Sequence, residues 1–312
     1  MKISIFQVEY SNTPEGPLIH IFGRERDGTA RHIRVSGFRP YFYAPREQVD
    51  RFLPPSQVTP EPGTVYPSIR GEPLVRLYTG KPADVRDVRD RYHHFEADIP
   101  FATRFMIDCG LTGGVSSPGL TPDFRELAPA DVNAPARTCI LDIECEDERG
   151  FPDPGRDAIL CVTCWDSFED RYESFIFSPG KGTCDLTLLS SQEPRTNGCF
   201  DQERHFIHTH DSEKEMLERF AAYLREKDPD IVSGWNFLEF DLPYIRNRME
   251  AIGLDPASLS RMEWQTERAA LRGRVTFDLL AAYRKMHATQ KESYRLDAVA
   301  EAEIGETKVR YK

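Results

Sequence analysis

Apolar and polar positions alternate in short runs over the first hundred residues. Segments 2–10, 18–24, 30–35 and 41–43 read as strands, since side chains two apart share one face of a strand. Thr13-Pro14-Glu15-Gly16 and Asp27-Gly28 mark turns between them. A further strand is expected near 74–78. Within 82–95, Val85, Val88 and Tyr92 recur at helical spacing, which predicts one helix there. The pattern describes a small β-rich, OB-like module with a single helix.

Glycine, proline, serine and alanine then dominate from 110 to 136, and a domain boundary is expected near 134, dividing the chain into 1–134 and 135–312. Beyond it, strands are expected at 138–144, 159–165 and 172–177, the last two as a hairpin. A polar, loop-rich insertion follows over 178–210. Ser212-Glu213-Lys214-Glu215 has the form of a capping box, and it opens a helix with Met216, Leu217, Phe220 and Leu224 on one apolar stripe. Asp228-Pro229-Asp230 ends that helix, and 231–233 is the next strand. A helix from about 242 to 252 stops at Gly253, and 275–277 and 279–286 repeat the strand–helix pair. Alternation of this kind predicts an α/β domain.

With 312 residues the chain can build two cores, and its 39% hydrophobic and 29% charged content is that of an ordinary globular protein. No run approaches the roughly 20 apolar residues of a membrane helix. Met1 to Tyr10 is too short and too quickly charged for a signal peptide, so a cytoplasmic protein without membrane partners is expected. Seven scattered cysteines, an odd number, read as reduced thiols. Cys161-Val162-Thr163-Cys164 has C-x-x-C spacing but lies in an apolar run with no second pair. His205, His208 and His210 read as part of a solvated loop. The net charge of −11 excludes a basic nucleic-acid coat protein. Residues 1–134 are nearly neutral, so the charge sits in the second half, as a soluble surface or a carboxylate metal site would have it.

The chemistry is concentrated at Ile140-Leu141-Asp142-Ile143-Glu144. Asp142 and Glu144, two apart on a strand, present their carboxylates on one face. Either they are solvated acids at a strand end, or they hold a hard cation such as Mg²⁺ or Mn²⁺. The second feature is Asn236-Phe237-Leu238-Glu239-Phe240-Asp241, just past a strand. Asp241 stands directly before a helix, where it is either an N-cap or a third carboxylate completing much of a two-metal site.

A D-I-E strand followed about a hundred residues later by N-x-x-x-F-D resembles the first and second exonuclease motifs of family B DNA polymerases, in their archaeal form. Asp228-Pro229-Asp230-Ile231-Val232, Gly273-Arg274 with Asp278-Leu279, Ser293-Tyr294-Arg295-Leu296-Asp297 and Phe38-Arg39-Pro40-Tyr41-Phe42-Tyr43 resemble further elements of that family in order. The resemblance implies an amino-terminal domain followed by an RNase H-like 3′→5′ exonuclease domain that proofreads during DNA replication with two Mg²⁺ or Mn²⁺ ions. On it, Asp142 bridges the metals, Glu144 binds the one carrying the attacking water and Asp241 helps hold the second. Asn236 and Phe240 line the path of the DNA 3′ end; Asp278 is either structural, the favoured reading, or part of the site. The family's fourth carboxylate lies in a Y-x-x-x-D motif, and Tyr311 has no aspartate four residues on. The chain is therefore expected to stop before that motif and before the polymerase domains, with little activity of its own. It then needs the remaining polymerase portion in cis or as a split subunit; a non-catalytic DNA-binding subunit is the alternative. Expected partners are single-stranded template, the 3′ primer end and a sliding clamp, in a nucleoid-associated setting. The archaeal resemblance also implies a template-uracil pocket of Tyr10, Pro40, Tyr41, Pro82, Val85 and Phe101; the same residues would serve equally as the core of a β-domain.

Overall fold

A computed structural model describes residues 1–51, 55–179, 204–262, 271–287 and 291–307. The chain divides into two compact units, Met1–Ala136 and Arg137–Lys312.

The elements of the first unit are β1 (Lys2–Thr13), β2 (Gly16–Arg24), β3 (Ala30–Val35), β4 (Tyr41–Pro45), α1 (Arg46–Arg51), β5 (Val58–Pro60), β6 (Tyr66–Pro67), β7 (Pro73–Thr79), α2 (Pro82–Arg89), α3 (Phe101–Asp108), β8 (Gly114–Ser116) and β9 (Ala128–Pro129). One sheet runs β3-β2-β1-β8-β9; a second runs β4-β7-β5, with β6 also on β7. Alternation decides each face. Ile3, Ile19, Ile21, Ile33 and Val35 are fully buried on the first sheet and meet Phe101 and Phe105, four apart on α3. Phe42, Ala44, Val75 and Leu77 of the second sheet are buried against Val85 and Val88 of α2. Three helices stand where the hydrophobic pattern predicts one. The helix over 82–95 is also shorter than expected, because Phe95 leaves it to exchange both backbone hydrogen bonds with Tyr43 on the β4 edge, at 2.8 and 3.0 Å.

In the second unit β10 (Thr138–Cys145) is central. It pairs antiparallel with β11 (Ile159–Asp166), which pairs antiparallel with β12 (Arg171–Phe177); β13 (His205–His210) closes that side in parallel. On the other side β14 (Ile231–Gly234) and β15 (Val275–Asp278) run parallel to β10, giving the order β13-β12-β11-β10-β14-β15. Four helices complete the described part: α4 (Glu213–Lys227), α5 (Asp241–Ala251), α6 (Leu279–Met286) and α7 (Leu296–Ile304). The α4 stripe of Met216, Leu217, Phe220 and Leu224 is buried against Val162 and Phe175. At its start Ser212 Oγ accepts the Glu215 N–H (3.1 Å), while the Glu215 carboxylate is directed to His210 Nδ1 (3.8 Å).

Two expectations need correcting. His205, His208 and His210 lie in the strand β13 and not in a loop: His208 stacks on Phe175 (5.0 Å) and pairs with the buried Glu173 (2.6 Å). Polar side chains hid this strand because their partner is a buried acid. Helix α7 also has no counterpart in the hydrophobic pattern. The bulk of the predicted insertion (180–203), Cys184, Cys199 and Tyr311 lie outside the described residues. Cys161 and Cys164, three apart on β11, fall on opposite faces, with Cys164 fully buried.

A buried polar knot holds β14 at its N-terminal end. Helix α4 stops at Asp228, which adopts a left-handed φ of 47°. Arg274, with only 1% of its side chain exposed, donates to Asp228 Oδ1 (3.0 Å) and to the carbonyl of Leu224 (3.0 Å). Arg261 donates to Asp228 Oδ1 (2.6 Å) and to Asp230 Oδ1 (3.0 Å), and Asp230 Oδ2 accepts the Arg137 N–H (2.9 Å). The D-P-D and G-R segments are thus one construction, joined across 46 residues of chain.

Candidate functional site

On β10 the pleat buries Cys139, Leu141 and Ile143 and leaves Asp142 and Glu144 exposed on the opposite face. Their cross-strand neighbours on β11 are Thr163 and Cys161, so the face continues as a polar ladder; Thr163 hydrogen-bonds Ser174 of β12 (3.0 Å).

The third carboxylate arrives from α5. β14 pairs with β10 only as far as Ile140↔Ser233. Past that point the chain turns through Gly234, where a Cβ would stand 2.5 Å from the carbonyl of Leu141, so only glycine permits the approach. Asn236 adopts a left-handed φ of 63°, a conformation asparagine tolerates, and its carbonyl accepts the N–H groups of Glu239 (3.2 Å) and Phe240 (3.0 Å). This turn delivers Asp241 as the first residue of α5, 2% exposed. Its Oδ1 accepts the N–H of Ile143 at 3.3 Å, on the backbone between Asp142 and Glu144. The N-cap expectation is corrected: Phe240 occupies that position, and the Asp241 side chain bonds to another strand. Burial, then the Asp142 carboxylate, raises the pKa of Asp241 to about 7, against the lowering effect of its backbone N–H bonds.

Asp278 caps α6, accepting from Ala281 N–H (2.9 Å), and its other oxygen accepts from Leu238 N–H (2.9 Å). It ties the turn before Asp241 to β15, a structural role. Phe240 is half-buried between Phe151 (5.8 Å) and Tyr244 (5.7 Å).

The donor chemistry fits a hard divalent cation: three carboxylates, one of them buried as a disfavoured anion that a cation would stabilise. Among the described residues, however, no three such side chains stand as a ready metal-holding group. An ion would have to draw them together.

Of the six first-unit residues, Tyr10, Tyr41 and Phe101 share one cluster, and Tyr10 meets Phe101 edge-on at 5.3 Å. Val85 belongs to the other cluster, with Phe42 and Leu77, and Pro82 opens α2. Pro40 is buried, and its carbonyl accepts the Thr79 N–H (2.9 Å). The residues that sequence reasoning missed surround Tyr41 instead: Arg39, Arg76 and Tyr78 line a cleft with it. The signal was present, since Arg76 and Tyr78 are two apart on a strand, as are Tyr41 and Tyr43.

Comparison with known proteins bears on both units. The family model of the DNA polymerase family B exonuclease domain matches residues 92–299. DNA polymerase 1 of Pyrococcus abyssi is 27% identical over 97% of this chain and 37% of its own length. The DNA polymerase delta catalytic subunit of Oryza sativa subsp. japonica is 24% identical over 93% of this chain and 33% of its own. The solved family B DNA polymerase of Pyrobaculum calidifontis shares the fold with a TM-score of 0.70 at 24% identity, covering 97% of this chain and 39% of that one. A two-unit chain with a carboxylate-bearing mixed sheet, matched by the exonuclease-domain model over more than half its length, is a member of a known class. It belongs to the DNA polymerase family B exonuclease-domain family. The chain spans about a third of the length of these two curated relatives, 37% and 33%.

Proposed function

We propose that the chain is the amino-terminal and proofreading part of a family B DNA polymerase, serving 3′→5′ hydrolysis of DNA ends through Asp142, Glu144 and Asp241. The observation that carries this is the Asp241 carboxylate seated on the Ile143 N–H between the two strand acids. Divalent metal would supply charge neutralisation and an activated water. The residues' own part is to present carboxylates on a rigid strand and helix start; Asn236 and Phe240 flank the approach to them. The strand order of the second unit supports the RNase H-like reading, and the five-stranded antiparallel sheet of the first supports the OB-like one.

The test is metal linkage. In protein stripped with EDTA, millimolar Mn²⁺ should raise the melting temperature, since a ligand that binds only the folded state stabilises it. Asp142→Ala should remove most of that shift and any Mn²⁺-dependent shortening of a 5′-labelled single strand. Equal shifts in wild type and variant would sink the assignment.

A further inference from the structure

We propose that a cleft in the first unit, apart from the carboxylate face, holds one nucleotide by stacking its base and pairing its phosphate with arginine, without regard to base identity. The inference rests on the reading that this protein acts on DNA.

The register of β4 and β7 builds the cleft. Tyr41 lies opposite Tyr78 and Tyr43 opposite Arg76, which sets these four side chains on one face of the sheet. The other face is the buried cluster of Phe42, Ala44, Val75 and Leu77. The opposite face carries Tyr41, itself buried in the cluster of the first sheet, with the half-buried Tyr43, Arg76 and Tyr78 beside it. Arg39, Tyr41, Arg76, Tyr78, Phe124 and Arg125 line a cleft of about 590 Å³, the size range of small-ligand sites.

The three arginines are not equivalent. Arg125 is held by Asp123 through two bonds of 2.7 and 2.9 Å. Arg76 donates to the hydroxyls of Tyr43 (3.0 Å) and Tyr78 (3.2 Å) and stands 3.9 Å from Glu61. Asp108, the acid of the cleft, is taken by the Tyr41 hydroxyl (2.6 Å) and faces Arg104 (3.7 Å). Arg39 is exposed and has no ion pair among the described residues; its guanidinium lies 4.7 Å from the centre of the Tyr78 ring. Arg76 lies 4.5 Å from the centre of the Tyr41 ring. Arg76 and Arg104 (5.1 Å) already lie on Tyr41, so the rings left to a base are the half-buried Tyr78 and Phe124, with Arg39, a cation without a carboxylate among the described residues, beside them for the phosphate. Ring faces stack on any base, so this chemistry does not discriminate uracil from thymine. The cleft shares only Tyr41 with the six residues of the uracil expectation.

The nucleotide could come from a strand or be free in solution, and the experiment separates the two. Fluorescence anisotropy is measured on the full chain in EDTA, so that no metal-dependent cleavage intervenes, with a labelled single-stranded 12-mer in matched uracil and thymine versions. Arg39→Ala should weaken binding about tenfold and reduce the slope of log K against log salt by about 0.7, one phosphate contact on a single strand. The loss should be equal for the two oligomers. Tyr78→Phe, which keeps the ring, should stay within about twofold, as stacking rather than hydrogen bonding predicts. Displacement by dAMP at the oligomer's own concentration range assigns the cleft to free nucleotides; failure to displace assigns it to strands, and both keep the cleft. An Arg39→Ala protein with wild-type affinity and slope, a loss confined to the uracil strand, or no binding by wild type at low salt would overturn the proposal. Failure of the carboxylate assignment would appear separately, in the Mn²⁺ melting shift of Asp142→Ala.

Discussion

The two ends of β14 carry the same residue type and use it oppositely. At the N-terminal end, Asp228 and Asp230 are neutralised from within the protein by Arg261 and Arg274. At the C-terminal end, Asp241 is as buried as Asp230, but its partner is the Ile143 N–H, and Asp278 accepts, among the described residues, from backbone N–H groups alone. A buried carboxylate paired with an arginine is a fastener. A buried carboxylate beside another, with its pKa raised to about 7, is a cost that the fold carries unless a cation arrives. Burial and aspartate content do not distinguish the two ends; the guanidinium partners do.

The comparison breaks most sharply at the fastener. Arg274→Met strips the buried Leu224 and Pro229 carbonyls of their donor and takes one bond from the part-exposed Asp228, which keeps Arg261; it should cost about 2–4 kcal/mol in urea unfolding, at about 1–3 kcal/mol for each buried acceptor left unsatisfied. A cost under about 1 kcal/mol would place the knot among dispensable contacts.

The next effect is of opposite sign and depends on pH. Asp241 has a folded pKa of about 7 against an ordinary 3.8, so the folded state prefers the protonated form. Its contribution is fully present below about pH 4, falls as pH rises toward 7 and is flat above that. The whole change is at most on the order of 4 kcal/mol. Asp241→Asn, measured in EDTA, should therefore be more stable than wild type at pH 8 and lose that advantage near pH 4. Millimolar Mn²⁺ should narrow the difference at pH 8 by stabilising wild type alone. A pH-independent difference would mean that the carboxylate is already compensated.

The smallest effect sharpens the line between ligand and fastener at the same end of the strand. Asp278→Ala removes the α6 cap and the bond to Leu238, and should cost about 1–2 kcal/mol. The Mn²⁺ melting shift should persist in this variant. Its loss would move Asp278 into the metal-binding set.

Much of this arrangement was legible before any tertiary contact. Short alternating runs announced the strands β1 to β3, although Ile19 to Arg24 of β2 are buried on both faces, and the Ser212 start and apolar stripe announced α4. The D-x-E pair had to share a face as soon as 138–144 was a strand. Elements whose stabilising partner lies far along the chain were less legible. The histidines of β13 read as loop because the acid that satisfies His208 is Glu173 on another strand. The helix from Pro82 read too long because Tyr43 draws Phe95 away from it. Tyr41 and Val85 pack in different clusters, because Val85 of α2 meets Phe42, the strand neighbour of Tyr41 that faces the opposite way.

By itself the amino-acid sequence determined the strand and helix periods, the face shared by Asp142 and Glu144, and the left-handed or close-packed positions that Asn236 and Gly234 can occupy. These depend on residues within one element, where covalent geometry alone sets which side chains are neighbours. Tertiary structure decided which carboxylates meet an arginine and which do not. Asp228 finds Arg274 46 residues away, and Asp241 finds the Ile143 N–H 98 residues away. It also decided that Arg39, Arg76, Tyr41 and Tyr78 share one cleft. Only chain folding can bring such groups within a few ångströms, and both hydrogen bonds and charge compensation act at that range.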